Sequence, residues 1–347
     1  MTRHPHKVLV LMHEDRVPPE KPESSAERHD EAWKAEFHIL NTLRSMGHDV
    51  LGLGVRDELR PIRETIAAFQ PDIVFNLLDE FGGEGIFDQH VVAYLELLRV
   101  PYTGCNPRGL TLARDKALTK KILAYHRIPF PDFAVFTRGR KVRKPKHLTY
   151  PVIVKSLNED ASLGIAQASI VESDEKLEER VRFIHDTIGT DALAETYIDG
   201  REIYVSVLGT DRLQVFPPWE LVMDHLPEHS APIATRKIKW DRAYQARHKI
   251  RWGEAKLPEA VIERLRSLSR RSYRALHLSG YGRLDFRITA DGRCFVIEAN
   301  PNPGIARDDE FPSSAKAVRV SYEALLSSIL NLGLAATRKQ PATHRPG

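Results

Sequence analysis

Cysteine is almost missing from this chain. Only Cys105 and Cys294 occur in 347 residues, far apart and without His or Cys neighbours at metal-ligand spacing. That excludes a disulfide framework and a zinc site, and it predicts a reducing compartment. Long apolar runs are missing too. Met1-Thr2-Arg3-His4-Pro5-His6 leads straight into a short strand-like segment, so neither a signal peptide nor a membrane span is expected, and the cytoplasm is the expected location. Charge of one sign is scarce: 51 basic side chains meet 47 acidic ones, for a net +4. The basic residues are scattered, with no arginine-rich run or interleaved aromatic platform, which argues against a nucleic-acid partner. No internal repeat is present. The hydrophobic content of 42% is ordinary for a globular chain, and the length suggests two or three domains.

What the sequence does contain is an alternation of short apolar runs and amphipathic stretches. Lys7–Met12 reads as a buried strand, and the proline-bearing stretch His13–Ser25 as a loop. Ala26–Met46 reads as a helix, with Trp33, Phe37, Leu40 and Leu43 on one face and Gly47 as its stop. His48–Val55, Asp57–Phe69, Asp72–Leu77 and Gly85–Leu98 continue as strand, helix, strand and helix, and Val100–Gly104 as a fourth strand or its end. The fold class implied is α/β, with a mostly parallel sheet in residues 1–112. Helix Asp115–His126 changes the rhythm. Strands Val152–Lys155, Ile165–Ala168 and Leu193–Ile198 around helix Asp174–Asp186 form an α+β module, placed at 113–205. A third unit, 206–335, takes antiparallel segments Arg201–Leu208 and Leu213–Pro217, an irregular stretch Met223–Gly253, a long helix Leu257–Leu278, a hairpin, and a closing helix Ser313–Leu332. The polar tail 336–347 reads as disordered.

The hairpin carries the densest chemistry. Leu284, Phe286 and Ile288 alternate with Arg283, Asp285 and Arg287. A turn at Ala290–Arg293 follows, and Cys294–Ile297 returns towards Glu298 and Asn300. Three oxygen ligands on paired strands suit one or two Mg²⁺ ions held against phosphates, and Arg283 shares the face of Asp285, where it could neutralise a transferring phosphoryl group. Pro301, Pro303 and Gly304 stop the strand just beyond. Upstream, Lys155 emerges from Val-Ile-Val-Lys beside the small-residue loop 156–164, an arrangement suited to cradling an anion. Lys116 opens a helix. Backbone after Glu195 could read an adenine edge, and Glu202, after the Asp199-Gly200 turn, could accept from ribose hydroxyls. Each is singly more typical of a solvated surface charge. Their order makes them a constellation.

That order resembles the ATP-grasp superfamily, and within it the D-alanine–D-alanine ligases. Asp115-Lys116, Lys155, Glu195-Thr-Tyr-Ile-Asp-Gly-Arg-Glu202, Gly282-Arg-Leu-Asp285 and Glu298-Ala-Asn300-Pro-Asn-Pro-Gly304 fall in the family's sequence across residues 70–330. The resemblance implies an ATP-grasp fold behind an N-terminal Rossmann-like domain. It implies an enzyme that uses ATP and two Mg²⁺ (with Mn²⁺ an alternative) to join a small-molecule carboxylate to an amine through an acyl phosphate. By resemblance, Lys116, Lys155 and Ser162 would bind phosphates. Glu195 and the backbone at Ile198 would meet the adenine, and Glu202 the ribose. Asp285, Glu298 and Asn300 would hold the metal. Arg283 would stabilise the transition state, and Lys239 would add a phosphate contact from a closing loop. Asn302, Gly304, Glu14 and Asp79 are the substrate-side candidates, and a homodimer is the family's common state.

The N-terminal segment Gly82-Gly83-Glu84-Gly85-Ile86-Phe87-Asp88-Gln89 is similar to the family as well, but departures gather around it. Asp79-Glu80-Phe81 replaces the His-Gly before the glycine pair, and His13-Glu14-Asp15-Arg16-Val17-Pro18-Pro19 replaces a glycine-rich loop. Ala161 replaces the first of two serines, and Trp240 a tyrosine. In the family these positions orient the first D-alanine. The sequence therefore implies a ligase for an amino acid or dipeptide-like acid other than, or besides, D-alanine. A true D-alanine–D-alanine ligase and a non-ligating nucleotide-binding protein are the alternatives.

Overall fold

The computed structural model describes residues 5–19, 32–158, 165–228 and 230–338. Three sheets organise it. The first is parallel, in the order β2-β1-β3, from β1 (Lys7–His13), β2 (Asp49–Val55) and β3 (Ile73–Asn76). Helices α1 (Lys34–Ser45), α2 (Arg60–Phe69) and α3 (Asp88–Leu97) supply the crossovers. Strand β1 is buried from Val8 onward, as a central parallel strand covered on both faces must be. The expected fourth strand shrinks to one parallel bridge, Val74 to Tyr102. Pro101 has no N–H to give a ladder, and Gly104, at φ +97°, turns the chain away.

Helix α4 (Pro107–Arg114) was not expected from the sequence. Asn106 caps it by accepting from the Gly109 N–H at 2.9 Å, and Pro107 sits in its first turn. It runs into α5 (Lys116–Tyr125), whose cap is Asp115.

The second sheet is antiparallel, in the order β4-β7-β5-β6, with β4 (Phe133–Phe136), β5 (Val152–Ser156), β6 (Ile170–Val171) and β7 (Ala192–Thr196). Helix α6 (Asp174–Phe183) covers it. The strand expected at Ile165–Ala168 forms instead at Ile170–Val171. Gln167–Ser169 close a 3₁₀ turn in which the Ser169 Oγ accepts from the Ala166 N–H.

The third sheet runs β11-β10-β8-β12-β13, with β9 also on β8. Its strands are β8 (Arg201–Leu208), β9 (Gln214–Val215), β10 (Trp219–Val222), β11 (Arg251–Glu254), β12 (Tyr281–Ile288) and β13 (Cys294–Pro301). The stretch expected to be irregular holds two short helices, α7 (Arg236–Trp240) and α8 (Arg242–Arg247), before β11. Helix α9 (Glu259–Ala275) packs its Leu265, Leu268 and Tyr273 against β8, β12 and β13. The single closing helix expected at Ser313–Leu332 is two, α10 (Glu310–Ala317) and α11 (Tyr322–Arg338), separated where Arg319 takes φ +62°. Residue 336, expected to open a disordered tail, lies inside α11; beyond 338 the tail is outside the described residues.

One apolar cluster joins Val8, Val10 and Phe75 of the first sheet to Tyr281, Phe311, Leu325 and Ile329. The first and third sheets therefore share a core, and residues after β1 and β3 face those after β13.

Candidate nucleotide and metal site

A solvent-open cleft of about 820 Å³ lies between the second and third sheets. Apolar walls come from Ile153, Ile165, Ile198, Ile233 and Ile297. Lys116, Lys155, Glu195, Glu202, Lys239, Asp285, Arg287 and Glu298 bring charge to it. Eight of the sequence candidates are thereby gathered, because Ile198 shares the wall with Lys116, Lys155, Glu195, Glu202, Lys239, Asp285 and Glu298. Ser162 lies outside the described residues.

The hairpin supplies one edge. A bulge shifts the β12–β13 register between Asp285, which faces Glu298, and Phe286, which faces Val296. Ile297 is the extra residue, so Ile297 and Glu298 line the cleft consecutively instead of alternating. Arg283 donates two hydrogen bonds to Asp285, at 2.7 and 2.9 Å, and its guanidinium lies 4.6 Å over the Tyr204 ring. Burial raises the Asp285 carboxyl and Arg283 opposes it. Burial would also raise Glu298, but Lys116 at 3.1 Å, with Lys155 and Lys239, overrides it and holds that carboxyl down at about 2. Asn300, opposite Arg283, lines a smaller cavity with Ala113 and Arg114, and its Nδ2 is buried without a hydrogen-bond partner.

These residues fit a hard cation. Two carboxylates lie close together, and the amide of Asn300 carries a neutral oxygen of the kind such a cation takes. No group of three His, Cys, Asp or Glu side chains gathers at metal spacing among the described residues, so a three-ligand site here would include the amide.

Opposite the hairpin, Lys155 at the end of β5 reaches the Glu195 carboxylate at 2.6 Å. Glu195 is 2% exposed, and its second oxygen faces Lys120 at 2.9 Å. Lys120 was missed in the sequence, although it lies one helical turn after Lys116, at a spacing that shares a face.

Arg287 was missed too, although it continues the Arg283–Asp285 alternation. It is 5% exposed and donates to the carbonyls of Ile198 (3.0 Å) and Pro232 (2.7 Å), the Tyr197 hydroxyl (3.1 Å) and Glu202 (3.2 Å). The guanidinium fastens the β7–β8 connection to the segment carrying Lys239. Glu202 also accepts from the Tyr204 hydroxyl at 2.9 Å.

The remaining candidates lie on the first-sheet side, away from the cleft lining. Glu14 and Asp15, after β1, are exposed and bound to Arg56. Asp79, after β3, pairs with Arg16 at 2.9 Å. Asn302, at φ +50°, accepts from the Cys105 N–H at 2.7 Å through its Oδ1, so it pins the first unit to the third. Gly304 leaves space that Asp309 uses, since a Cβ there would stand 2.7 Å from Asp309 Oδ2. Two further acids sit close by, Glu36, which the sequence did not mark, and Asp309, in the Arg307–Asp309 run before the closing helix. Glu36, on α1 and 3% exposed, and Asp309 are each raised by burial to about 7; Asp79 and Asp309 add repulsion at Glu36, and Glu310 at Asp309.

The comparisons assign this chain to the ATP-grasp carboxylate–amine ligases. The chain resembles the D-alanine–D-alanine ligase of Bacillus anthracis solved in complex with ATP, with a TM-score of 0.75 at 22% identity over 96% of this chain and 99% of that one. It also resembles the D-alanine–D-alanine ligase from Coxiella burnetii, with a TM-score of 0.72 at 17% identity over 97% and 96% of the two chains. In sequence, residues 122–331 match the family described as D-ala D-ala ligase C-terminus. A D-alanine–D-alanine ligase of Desulforudis audaxviator is 32% identical over 89% of this chain and 95% of its own. An uncharacterized protein, y4sG, of Sinorhizobium fredii is also 32% identical, over 85% of each chain. The chain belongs to the D-alanine–D-alanine ligase family. No helix among the described residues is long and apolar enough to cross a membrane.

Proposed function

We propose that the cleft binds ATP and that the enzyme joins an amino acid or dipeptide-like acid to an amine through an acyl phosphate. The observation that supports this most is the convergence of Lys116, Lys155 and Lys239 on one cleft with Asp285 and Glu298. With Arg287 in the lining and Lys120 and Arg283 paired to its acids, six cations meet the four carboxylates Glu195, Glu202, Asp285 and Glu298, and a polyphosphate is a ligand that takes up the excess. In this reading the base lies among Ile153, Ile198 and Ile233, with the β7–β8 backbone at its edge. Glu202 faces the ribose, and Lys116, Lys155 and Lys239 take the phosphates. Asp285, Glu298 and Asn300 would hold Mg²⁺, one ion or two, with Mn²⁺ as a substitute. A bound divalent cation supplies neutralisation of phosphate charge.

A substrate carboxylate oxygen attacks the γ-phosphorus and ADP leaves. The amine nitrogen then attacks the acyl carbon, inorganic phosphate departs with the bonding pair, and the proton lost from the nitrogen passes to the phosphate or to solvent. Arg283, held rigid by Asp285 and Tyr204, presents fixed positive charge beside the reacting phosphoryl group, and positioning supplies most of the rest. The substrates enter from the first-sheet side, which carries Asp79 and Glu14 and to which Asn302 is pinned through Cys105.

The test is phosphate release from Mg-ATP with a pooled set of amino acids. Release with an acid or amine other than D-alanine supports this reading. Release with D-alanine alone supports the second reading, a D-alanine–D-alanine ligase, which is favoured by the 32% identical relative of that name. Tight ATP binding without turnover would overturn both.

A further inference from the structure

Lys120 poses a problem that the proposed reaction leaves unsolved. It is 1% exposed and does not line the cleft, yet its ammonium is 2.9 Å from Glu195 Oε2 and donates to the Ile297 carbonyl at 3.2 Å. Burying an ammonium costs several kcal/mol unless it is well paired. Burial lowers the Lys120 ammonium, and Glu195 opposes that shift. A leucine or methionine would fill the same space without the cost, so the charge calls for an explanation.

The explanation lies in the other half of Glu195. Its Oε1 holds Lys155 at 2.6 Å, so one carboxylate is shared by two lysines. Counting charges, Lys120, Lys155 and Glu195 together carry +1. Without Lys120, Lys155 and Glu195 would cancel. Lys155 would then face an incoming anion as half of a closed, buried ion pair, and a phosphate would have to break that pair to gain a cation. With Lys120 in place, Glu195 keeps a partner when Lys155 turns towards the cleft, and the group remains net positive throughout. The contact to Ile297 fixes Lys120 beside the bulge that presents Glu298.

We propose that Lys120 is a positioning residue that frees Lys155 for the phosphates by taking over the charge of Glu195. The inference rests on the ATP reading above and adds a residue to it. It concerns charge, so it acts on the phosphates and spares the nucleoside.

The experiment titrates ATP and adenosine separately against the full chain, its Lys120→Met variant, and the double variant Lys120→Met/Glu195→Gln, with melting curves on each. Methionine keeps the length and removes the charge. The single variant is expected to bind ATP about tenfold more weakly, with adenosine changed by less than about threefold, as the loss of one nearby charge at intermediate dielectric implies. The double variant restores the +1 on Lys155 and should recover the preference for ATP over adenosine to within about threefold of the parent. Equal losses for ATP and adenosine, or an unchanged ATP affinity, overturn the inference, because a purely structural lysine behaves in those ways. If the single variant does not fold, the double variant decides: keeping the ATP preference supports the charge argument, and losing it overturns it. A parent protein that binds adenosine and ATP equally overturns the nucleotide reading itself, a result distinct from the others.

Discussion

Arg283→Met separates two duties of one side chain. The guanidinium spends both of its short contacts, 2.7 and 2.9 Å, on Asp285, which is itself 5% exposed. Methionine keeps the buried stem but leaves a carboxylate in an apolar place. Breaking a buried pair from one side costs about 3–5 kcal/mol, more than the net value of its hydrogen bonds, because the surviving charge stays desolvated. With a urea slope of about 3 kcal/mol per molar for a chain of this size, the midpoint should fall by 1 M or more. The sign of the pH dependence is fixed. Burial already raises the Asp285 carboxyl, and without Arg283 it rises further. A carboxyl raised in the fold is favoured protonated, so its penalty grows as pH climbs from its unfolded value to its folded one. The stability gap between variant and parent should therefore be widest at pH 8 and narrow towards pH 4. Urea unfolding at the two pH values, followed by circular dichroism, measures it. Arg283→Lys should recover part of the stability but little phosphate release, since an ammonium replaces the charge without the bidentate fork. A gap below 1 kcal/mol that does not change with pH would refute the reasoning.

Other outcomes follow from the same geometry. Glu298→Gln should lower phosphate release at least about a hundredfold, the scale of losing one charge-positioning group. Its stability cost should be present at pH 7 and vanish as pH falls from the ordinary glutamate range towards about 2, where the parent's own carboxyl protonates; melting at pH 7 and pH 3 checks this. Glu36→Gln should stabilise the protein at pH 8 by up to about 3 kcal/mol and leave it unchanged below pH 4.5, because the parent must ionise a carboxyl raised to about 7; paired melts at both pH values decide. Arg287→Met should raise the KM for ATP about tenfold with a smaller change in kcat, because it frees Ile198, Glu202 and the Pro232 carbonyl together; steady-state kinetics at saturating amine substrate read the split.

The parts of the fold that could be read from the sequence were those with strong periodicity. Strand β1 is a solid apolar run and α9 has one clear apolar face, and both form where the pattern puts them. The parts that could not be read were decided by single backbone groups. Asn106 and Pro107 look like loop residues until the Asn106 side chain is seen capping α4. Residues 165–168 have strand composition, but the Ser169 hydroxyl bonds back to Ala166 and delays the strand to Ile170. The β12–β13 bulge is equally silent in sequence, since alternation through Ile297 would have turned Glu298 the other way. At the site, the sequence marked most of the charges facing the cleft and missed Arg287 in its lining and Lys120 behind it. Lys120 touches the cleft only through Glu195, and only packing shows such a relation.

That distinction bears on substrate choice. On the cleft side every buried acid has a cation: Asp285 has Arg283, Glu298 has Lys116, and Glu195 has two lysines. On the first-sheet side Glu36 and Asp309 are raised to about 7 because burial is not offset there to the same degree. The buried acids of the cleft are thus paired with cations, whereas Glu36 and Asp309 are offset less. An ammonium group brought beside Glu36 and Asp309 would lower both carboxyls and relieve their repulsion, and a second anion there would worsen it. Under the proposed reading, substrates that place an amino group beside Glu36 and Asp309 are therefore expected to turn over faster than di-acids lacking one, and phosphate release with matched pairs of the two measures it.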